Sequence, residues 1–373
     1  MILAKKVRII PTKEQEKQLW KSVGTARWVY NWVINTQEAN RKAGGKFISN
    51  GVLRKQITEL KKTKEYSWIA DVSNNVAKQA VKDACNAYEK FFKGLAKKPK
   101  FKSKKENKNS FYNDTAKIKV KEQLVLIEKV GWMKVKEKIP MDVKYTNPRI
   151  TFDGKYWYLS VGIEQETVKE NLTKQVIGID LGIKDLAVCS NGIVIENINK
   201  RQKVKKIEKR LLRLQRRVSR KYEMGKEGNR YVKTRNIIKI EKQIRFLHRR
   251  LKNIRENHIH QATNAIVKTK PCRVVMEDLN VIGIMKNRYL SKAIQKQKLY
   301  EFIRQMKYKC EKYGIEFIQV DRFYPSSKTC SSCGTIKKDL KLSDRKYSCE
   351  CGLEIDRDLN AALNLAKMGQ LTV

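Results

Sequence analysis

The chain has 373 residues, of which 83 are Lys or Arg against 38 Asp or Glu, giving a formal net charge of +45 with 41% hydrophobic residues. That length and apolar fraction exclude a merely disordered basic tail and leave room for two or three domains, while the positive field selects a polyanion rich in phosphates as partner. No run approaches the roughly eighteen apolar residues of a spanning helix, and the start Met1-Ile-Leu-Ala-Lys-Lys lacks the apolar stretch of a signal peptide, so a cytoplasmic protein without membrane association is expected.

Ala4 to Ile10 reads as a short strand ended by Pro11, and Thr12 with Gln15 forms a capping box for a helix through Trp20. A second helical stretch carries Trp28, Val29, Trp32 and Val33. A third runs from about Val72 to Phe92 with Val76, Ala80, Ala84, Ala87 and Phe91 on one face. The aromatics in these stretches read as bundle core. Between Phe92 and Phe111, Lys93, Lys97, Lys98, Lys100, Lys102, Lys104, Lys105 and Lys108 surround Pro99 with Glu106 as the single acid. Such a segment is either a solvated linker or a phosphate-contacting strip. Contact is favoured because Phe101 and Phe111 give it apolar anchors and base-stacking faces.

From Ile118 to Ile163 the period shifts to two. Ile150-Thr-Phe, Asp153-Gly154 and Tyr156-Trp-Tyr-Leu predict a hairpin with a primed turn, and similar short runs before it fit a small β-barrel or sandwich that residues 4–10 complete. Val176 to Asp180, Leu186 to Cys189 and Ile193 to Ile195 then predict three closely spaced strands joined by turns at Gly182 and Gly192. A long basic helical hairpin follows, bent at Gly225 and Gly228. Its apolar stripes are Ile207, Leu211, Leu214 and Val218, then Ile237, Ile240, Ile244, Leu247, Leu251 and Ile254. Twelve Lys or Arg lie between residues 200 and 221 against the lone acid Glu208, whereas an ordinary solvated face mixes signs. The arm, with Arg210, Arg213, Arg216 and Arg217, is therefore read as lying along a nucleic-acid backbone. Val274-Val275-Met276 predicts a buried strand, Ser291 to Tyr313 an amphipathic helix, and Ile315 to Val320 another strand.

The order β, β, β, helices, β, helix, β, helix is that of an RNase H-like fold. Three acids fall at its chemically useful places: Asp180 on the first strand, Glu277 at the end of the buried strand and Asp358 opening the last helix. Each alone has a dull explanation as turn, surface or helix-start residue. Together they suit carboxylates that converge, repel, and need cations, with Mg²⁺ and two ions expected for phosphodiester hydrolysis. Asp356 is the better N-cap of that pair, and Asp185 and Asp278 are lesser candidates.

Eight cysteines in a reducing compartment argue against a disulfide framework. Cys85, Cys189, Cys272 and Cys310 sit in apolar-patterned segments as core filler. Cys330-x-x-Cys333-Gly334 and Cys349-Glu350-Cys351-Gly352 suit a closed four-thiolate Zn²⁺ site, structural because no ligand position stays open for water. The C-x-C half tightens its turn, and a redox pair is the alternative. The three histidines, His248, His258 and His260, fall on helical stretches away from these cysteines.

Nearly end to end, the chain resembles TnpB, the OrfB-type proteins of insertion sequences from which type V CRISPR effectors are thought to descend. The resemblance rests on Ile177-Gly-Ile-Asp180-Leu-Gly-Ile-Lys-Asp-Leu-Ala187, Met276-Glu277-Asp278-Leu279, Ser326-Ser-Lys-Thr-Cys-Ser-Ser-Cys-Gly334 and Asp356-Arg-Asp-Leu-Asn-Ala-Ala-Leu-Asn364, with Lys5 to Pro11, Arg27, Tyr30-Asn31 and Lys98 to Lys104 like the family's opening segments. It implies an RNA-guided DNA endonuclease that pairs a transposon-encoded guide RNA with double-stranded target DNA beside a short motif. The implied architecture is a multidomain α+β chain. Residues 1–10 and 114–172 form a wedge-type β-barrel, residues 11–113 a helical recognition domain, and residues 173–373 a RuvC nuclease domain with a basic hairpin at 200–261 and a zinc-ribbon insert at 326–355. The RuvC triad maps onto Asp180, Glu277 and Asp358 and the zinc ligands onto Cys330, Cys333, Cys349 and Cys351. A protein monomeric in its RNA complex is expected. The missing residue between Cys349 and Cys351 departs from the pattern. A non-catalytic RNA-guided repressor, a strand-transfer transposase and an RNA-packaging protein are the competing readings, and the three acids disfavour the last.

Overall fold

The computed structural model describes residues 1–104, 109–167, 171–228, 230–341 and 344–371. Lys105, Glu106 and Lys108 of the basic strip, and residues 342–343 of the expected insert, lie outside the described residues. The chain divides into two units, Met1–Gln165 and Glu166–Val373.

The first unit begins with β1 (Ile2–Ile10) and α1 (Lys13–Lys42), joined by the capping box in which the Thr12 side chain and Gln15 satisfy each other's backbone N–H groups. Where two helices are expected, α1 runs unbroken. Buried Leu19, Val23, Tyr30, Val33, Ile34 and Gln37 recur at helical spacing across Gly24, and that burial outweighs the roughly 1 kcal/mol a helical glycine costs. Next come α2 (Asn50–Leu60), which the sequence reading does not anticipate, and α3 (Asn74–Phe92). Their apolar faces meet α1 in a cluster that includes Val29, Val33, Leu53, Ile57, Val81 and Ala84.

The remaining strands of this unit are β2 (Ser110–Tyr112), β3 (Lys119–Lys121), β4 (Leu124–Ile127), β5 (Gly131–Val135), β6 (Tyr145–Phe152) and β7 (Trp157–Glu164). With β1 they form an antiparallel sheet in the order β2-β6-β7-β1-β5-β4-β3, so the first strand of the chain pairs with β5 and β7. The β6–β7 turn closes by Asp153 N–H donating to Tyr156 O at 3.1 Å, with Gly154 at φ 94° where a primed turn needs a left-handed residue. Trp20 of α1 packs edge-on against Phe152 and Trp157 at 5.0 Å, and Arg149 of β6 holds Asp83 of α3 through two bonds of 3.0 and 3.1 Å.

In the second unit, β8 (Thr173–Leu181), β9 (Asp185–Cys189) and β10 (Val194–Glu196) make an antiparallel meander. The chain then forms the hairpin of α4 (Gln202–Met224) and α5 (Arg235–Val267), whose tip carries two short paired strands, β11 (Lys226–Glu227) and β12 (Arg230–Tyr231). Val204, Ile207 and Leu211 of α4 bury against Leu247 and Leu251 of α5. β13 (Pro271–Glu277) returns parallel to β8, and after α6 (Val281–Met285), α7 (Ser291–Gln297) and α8 (Leu299–Tyr313), β14 (Glu316–Val320) lies parallel to β13. The expected single helix over 291–313 is two, because Lys298 between them adopts a left-handed φ of 56° while its Nζ pairs with Glu256 at 2.8 Å. A hairpin of β15 (Lys346–Ser348) and β16 (Glu354–Asp356) leads into α9 (Arg357–Leu371).

The resulting five-stranded sheet has the order β10-β9-β8-β13-β14 and carries helices on both faces. Ile177 and Ile179 point into a cluster with Ile259, Ala262, Phe302 and Met306 from α5 and α8. Gly178 between them faces α9, so closely that a Cβ there would stand 2.0 Å from the Ala362 carbonyl oxygen.

Candidate active site and metal centre

The packing of α9 on β8 decides where the acids meet. Gly178 lies beneath Ala362 and Ala366, and Gly369 lies against Val176 and Val275, so α9 runs antiparallel to β8. Asp358 is one turn before Ala362, about 6 Å back along the helix. Asp180 is two residues beyond Gly178 on the same face of its strand, about 6–7 Å along. The two steps match, so Asp358 and Asp180 stand at the same end of the α9–β8 contact, although the oxygens of Asp180, Glu277 and Asp358 do not all lie within 4.8 Å of one another. Glu277 ends β13, which pairs in parallel with β8 up to Met276 and Ile179, and it shares the α9-facing parity of Val275.

The charges of Asp358 and Glu277 both act on Asp180. Asp180 retains a partly accessible surface but is densely surrounded, and its carboxyl is pushed up to about 7 by desolvation first and then by the charges of Asp358 and Glu277, with Arg357 opposing. Glu277 is also raised, by burial and by Asp278. Asp356 is the helix cap, its Oδ1 accepting N–H bonds from Asp358 (2.9 Å) and Leu359 (3.3 Å), while Asp358 Oδ1 lies 3.6 Å from the Arg357 guanidinium. Asp278 is committed elsewhere, to Arg322 at 2.6 Å. Three oxygen-bearing acids at one sheet edge are a donor set suited to a hard divalent cation such as Mg²⁺.

The four clustered cysteines form a second centre. Their Sγ atoms all lie within 4.8 Å of one another, with Cys330 to Cys351 and Cys333 to Cys349 at 3.6 Å. Thiolates about 2.3 Å from a tetrahedral Zn²⁺ sit about 3.8 Å apart, so the donor set fits that ion. The C-x-C half closes its turn as the other half does. Gly334 N–H donates to Cys330 O and Gly352 N–H to Cys349 O, both at 3.0 Å, with the two glycines at φ 82° and 89°. The Thr335 hydroxyl and N–H both stabilise the Cys333 thiolate, holding it down at about 6. Cys85, Cys189 and Cys310 are buried, and Cys272 is half-buried.

Asn360 and Asn364 belong to the Asp356–Asn364 motif without a chemical role of their own. Both are buried, and they lash the cysteine segment to α9. Asn360 donates to Thr329 O (2.7 Å) and accepts from Ser331 N–H (2.9 Å), while Asn364 donates to Ser326 O (2.8 Å) and Thr329 O (2.6 Å). Their i, i+4 spacing on the first turns of the helix was the available signal.

Of the basic residues, Arg210, Arg213, Arg216 and Arg217 are all exposed on α4, and the last three share a groove with Arg220 and Lys221. In the first unit Lys97, Lys98, Lys100 and Lys104 are exposed, though Lys98 pairs with Glu38 at 2.9 Å. Lys102 is half-buried with its Nζ 3.5 Å over the Tyr30 ring, and Asn31 clamps its backbone. Phe111 is buried in the core, so of the two aromatic anchors only Phe101 faces outward.

Family models match three stretches of the chain: one described as "Probable transposase" over residues 158–288, a helix-turn-helix domain over 1–46 and a Cas12f1-like TNB domain over 300–365. A "Putative RNA-guided DNA endonuclease" of Streptomyces pristinaespiralis is 30% identical over 98% of this chain and 88% of its own length. InsQ of Escherichia coli (strain K12), which bears the same description, is 29% identical over 98% and 91%. A chain of the Cas12f1-sgRNA-target DNA complex superposes with a TM-score of 0.60 over 98% of both chains at 15% identity, a likeness of fold. The fold is thus a mixed α/β effector-like one that includes an RNase H-like sheet. The chain belongs to the TnpB family, the OrfB-type proteins of insertion sequences. No described helix is long and apolar enough to cross a membrane.

Proposed function

We propose that the chain is an RNA-guided DNA endonuclease of a transposable element. It takes up a transposon-encoded guide RNA and cuts double-stranded DNA beside a short adjacent motif, in one RuvC site formed by Asp180, Glu277 and Asp358. The observation that carries this reading is the packing of α9 on β8, which sets Asp358 at the end of the sheet where Asp180 and, on neighbouring β13, Glu277 stand, in a chain of net charge +45. Such a cluster is costly to keep unless cations neutralise it.

Mg²⁺, two ions in this reading, supplies an activated water and counter-charge for the leaving oxygen. The chain's part is positional. β8 fixes Asp180, the end of β13 fixes Glu277, and the Asp356 cap fixes the first turn of α9 on which Asp358 rides. Arg210, Arg213, Arg216 and Arg217, with Lys97, Lys98, Lys100, Lys102 and Lys104, take phosphates of the guide and target, while base pairing reads sequence. The seven-stranded sheet serves as the wedge-type β-barrel and α1–α3 as the recognition domain within residues 11–113. Residues 326–355 are a zinc ribbon with a structural Zn²⁺ on the four cysteines. The protein acts as a cytoplasmic monomer around its RNA.

The test uses full-length protein expressed with its native flanking DNA, so that copurified RNA can be sequenced and used to design a matching duplex. Asp180→Ala is expected to abolish Mg²⁺-dependent cleavage while RNA and target binding persist. Undiminished cleavage by that variant would overturn the assignment, and the lack of any discrete copurified RNA would remove the guided mechanism.

A further inference from the structure

The parallel strands β8, β13 and β14 all end at the sheet edge where Asp180 and Glu277 stand, and the turn that leaves β14 there holds an unusual side chain. Phe323 is 85% exposed, between Arg322 and a half-buried Tyr324. Its position is not slack. Asp321 Oδ1 accepts the Phe323 N–H at 2.8 Å and Asp321 O accepts the Tyr324 N–H at 3.0 Å, so the turn is closed from within. Arg322 pairs with Asp278 at 2.6 Å, and Asp278 N–H donates to Val320 O at 2.9 Å, which ties the turn to the residue after Glu277. On its other side, Asn364 of α9 holds Ser326 O at 2.8 Å. The turn is therefore pinned between the strand that carries Glu277 and the helix that carries Asp358.

Distance follows from register. Val320 is paired with Glu277, and Phe323 is three residues on, so its Cα lies within about 11 Å of Val320. A phenylalanine whose backbone is pinned while its ring stays in water gains little for folding, since the ring buries almost no area. What a fixed, exposed aromatic face beside cations does bind is an unstacked nucleobase.

We propose that Phe323 is a stacking platform that receives a base of single-stranded DNA at the mouth of the carboxylate site and so positions the neighbouring phosphodiester. The proposal rests on the nuclease reading above and adds a positioning residue to it. Stacking is insensitive to base identity, so the platform serves any target sequence the guide selects.

Two measurements test it. Full-length protein is irradiated with a single-stranded oligodeoxynucleotide carrying 5-bromodeoxyuridine, and crosslinked peptides are mapped by mass spectrometry. A crosslink at residue 323, lost in Phe323→Ala and kept in Phe323→Tyr, is expected. In the guide-loaded complex, Phe323→Ala and Phe323→Leu are expected to slow cleavage about five- to hundredfold without weakening target binding, and Phe323→Tyr to stay within about threefold. The leucine variant separates a π face from mere apolar bulk. Wild-type cleavage rates in Phe323→Ala, or crosslinks that avoid residue 323, would overturn the platform and leave the nuclease standing. A wild-type chain that crosslinks at residue 323 yet cuts no guide-matched duplex would overturn the nuclease reading instead.

Discussion

Asp356 and Asp358 stand two residues apart, the first capping α9 and the second proposed as a metal ligand, which makes them separable by experiment. Removing the cap with Asp356→Ala should cost about 1 kcal/mol of stability, read by thermal melting. Asp358→Asn should leave the melting temperature nearly unchanged while lowering cleavage about a hundredfold or more. Lys309 offers a test at another residue. It is buried, donating to His260 O (2.9 Å) and Thr263 Oγ1 (2.7 Å), and desolvation, aided by Lys312, pulls its ammonium down to about 8. Its folded value lies below the unfolded one near 10.5, so the unfolded chain binds more protons between those limits and stability rises with pH across that window. After allowance for solvent screening the rise is about 1–2 kcal/mol, and Lys309→Met should remove it in melts taken between pH 8 and pH 10.5. At this scale the sequence singles out Asp180, Glu277 and Asp358 because chemistry restricts the residue types that can hold a hard cation. It hides Phe323 and Lys309, since an exposed ring and a buried lysine leave no periodic signal.

Elements are legible where one cause dominates. The capping box at Thr12, the Asp153-Gly154 turn and the two apolar stripes of the α4–α5 hairpin can each be read directly, because local hydrogen bonding or period sets them. The continuity of α1 cannot, since Gly24 suggests a break that only burial on the rest of the first unit overrides. Nor can the interruption at Lys298, which depends on a left-handed backbone paired with distant Glu256. The contact of β8 with α9 is the most demanding in the second unit. Gly178→Ala would drive a methyl to 2.0 Å from Ala362 O and 2.5 Å from Ala366 N, so α9 must lift away. A loss of about 3 kcal/mol in denaturant melts is expected, together with loss of cleavage as Asp358 moves off Asp180. For the cysteine segment, elemental analysis should find one zinc per chain, and Cys351→Ser should release it and open residues 326–355 to protease.

Across the whole molecule, the excess of cations argues for a polyanion before any motif is found, and it predicts how binding responds to salt. Replacing Arg213 and Arg217 together by Ala should reduce the slope of log affinity against log salt by up to about 2, measured on double-stranded DNA by fluorescence anisotropy. Element order alone points to an RNase H-like sheet. That the three acids stand at one end of that sheet follows only once the parity of Gly178, Val275 and Glu277 and the direction of α9 are known, because contacts separated by nearly 180 residues leave no trace in local pattern. The proposed nuclease needs those carboxylates to share divalent ions. Diffraction from crystals soaked in Mn²⁺, recorded at the manganese edge, should show anomalous peaks about 2.2 Å from oxygens of Asp180, Glu277 and Asp358. Ordered manganese elsewhere, with these three side chains unliganded, would contradict it.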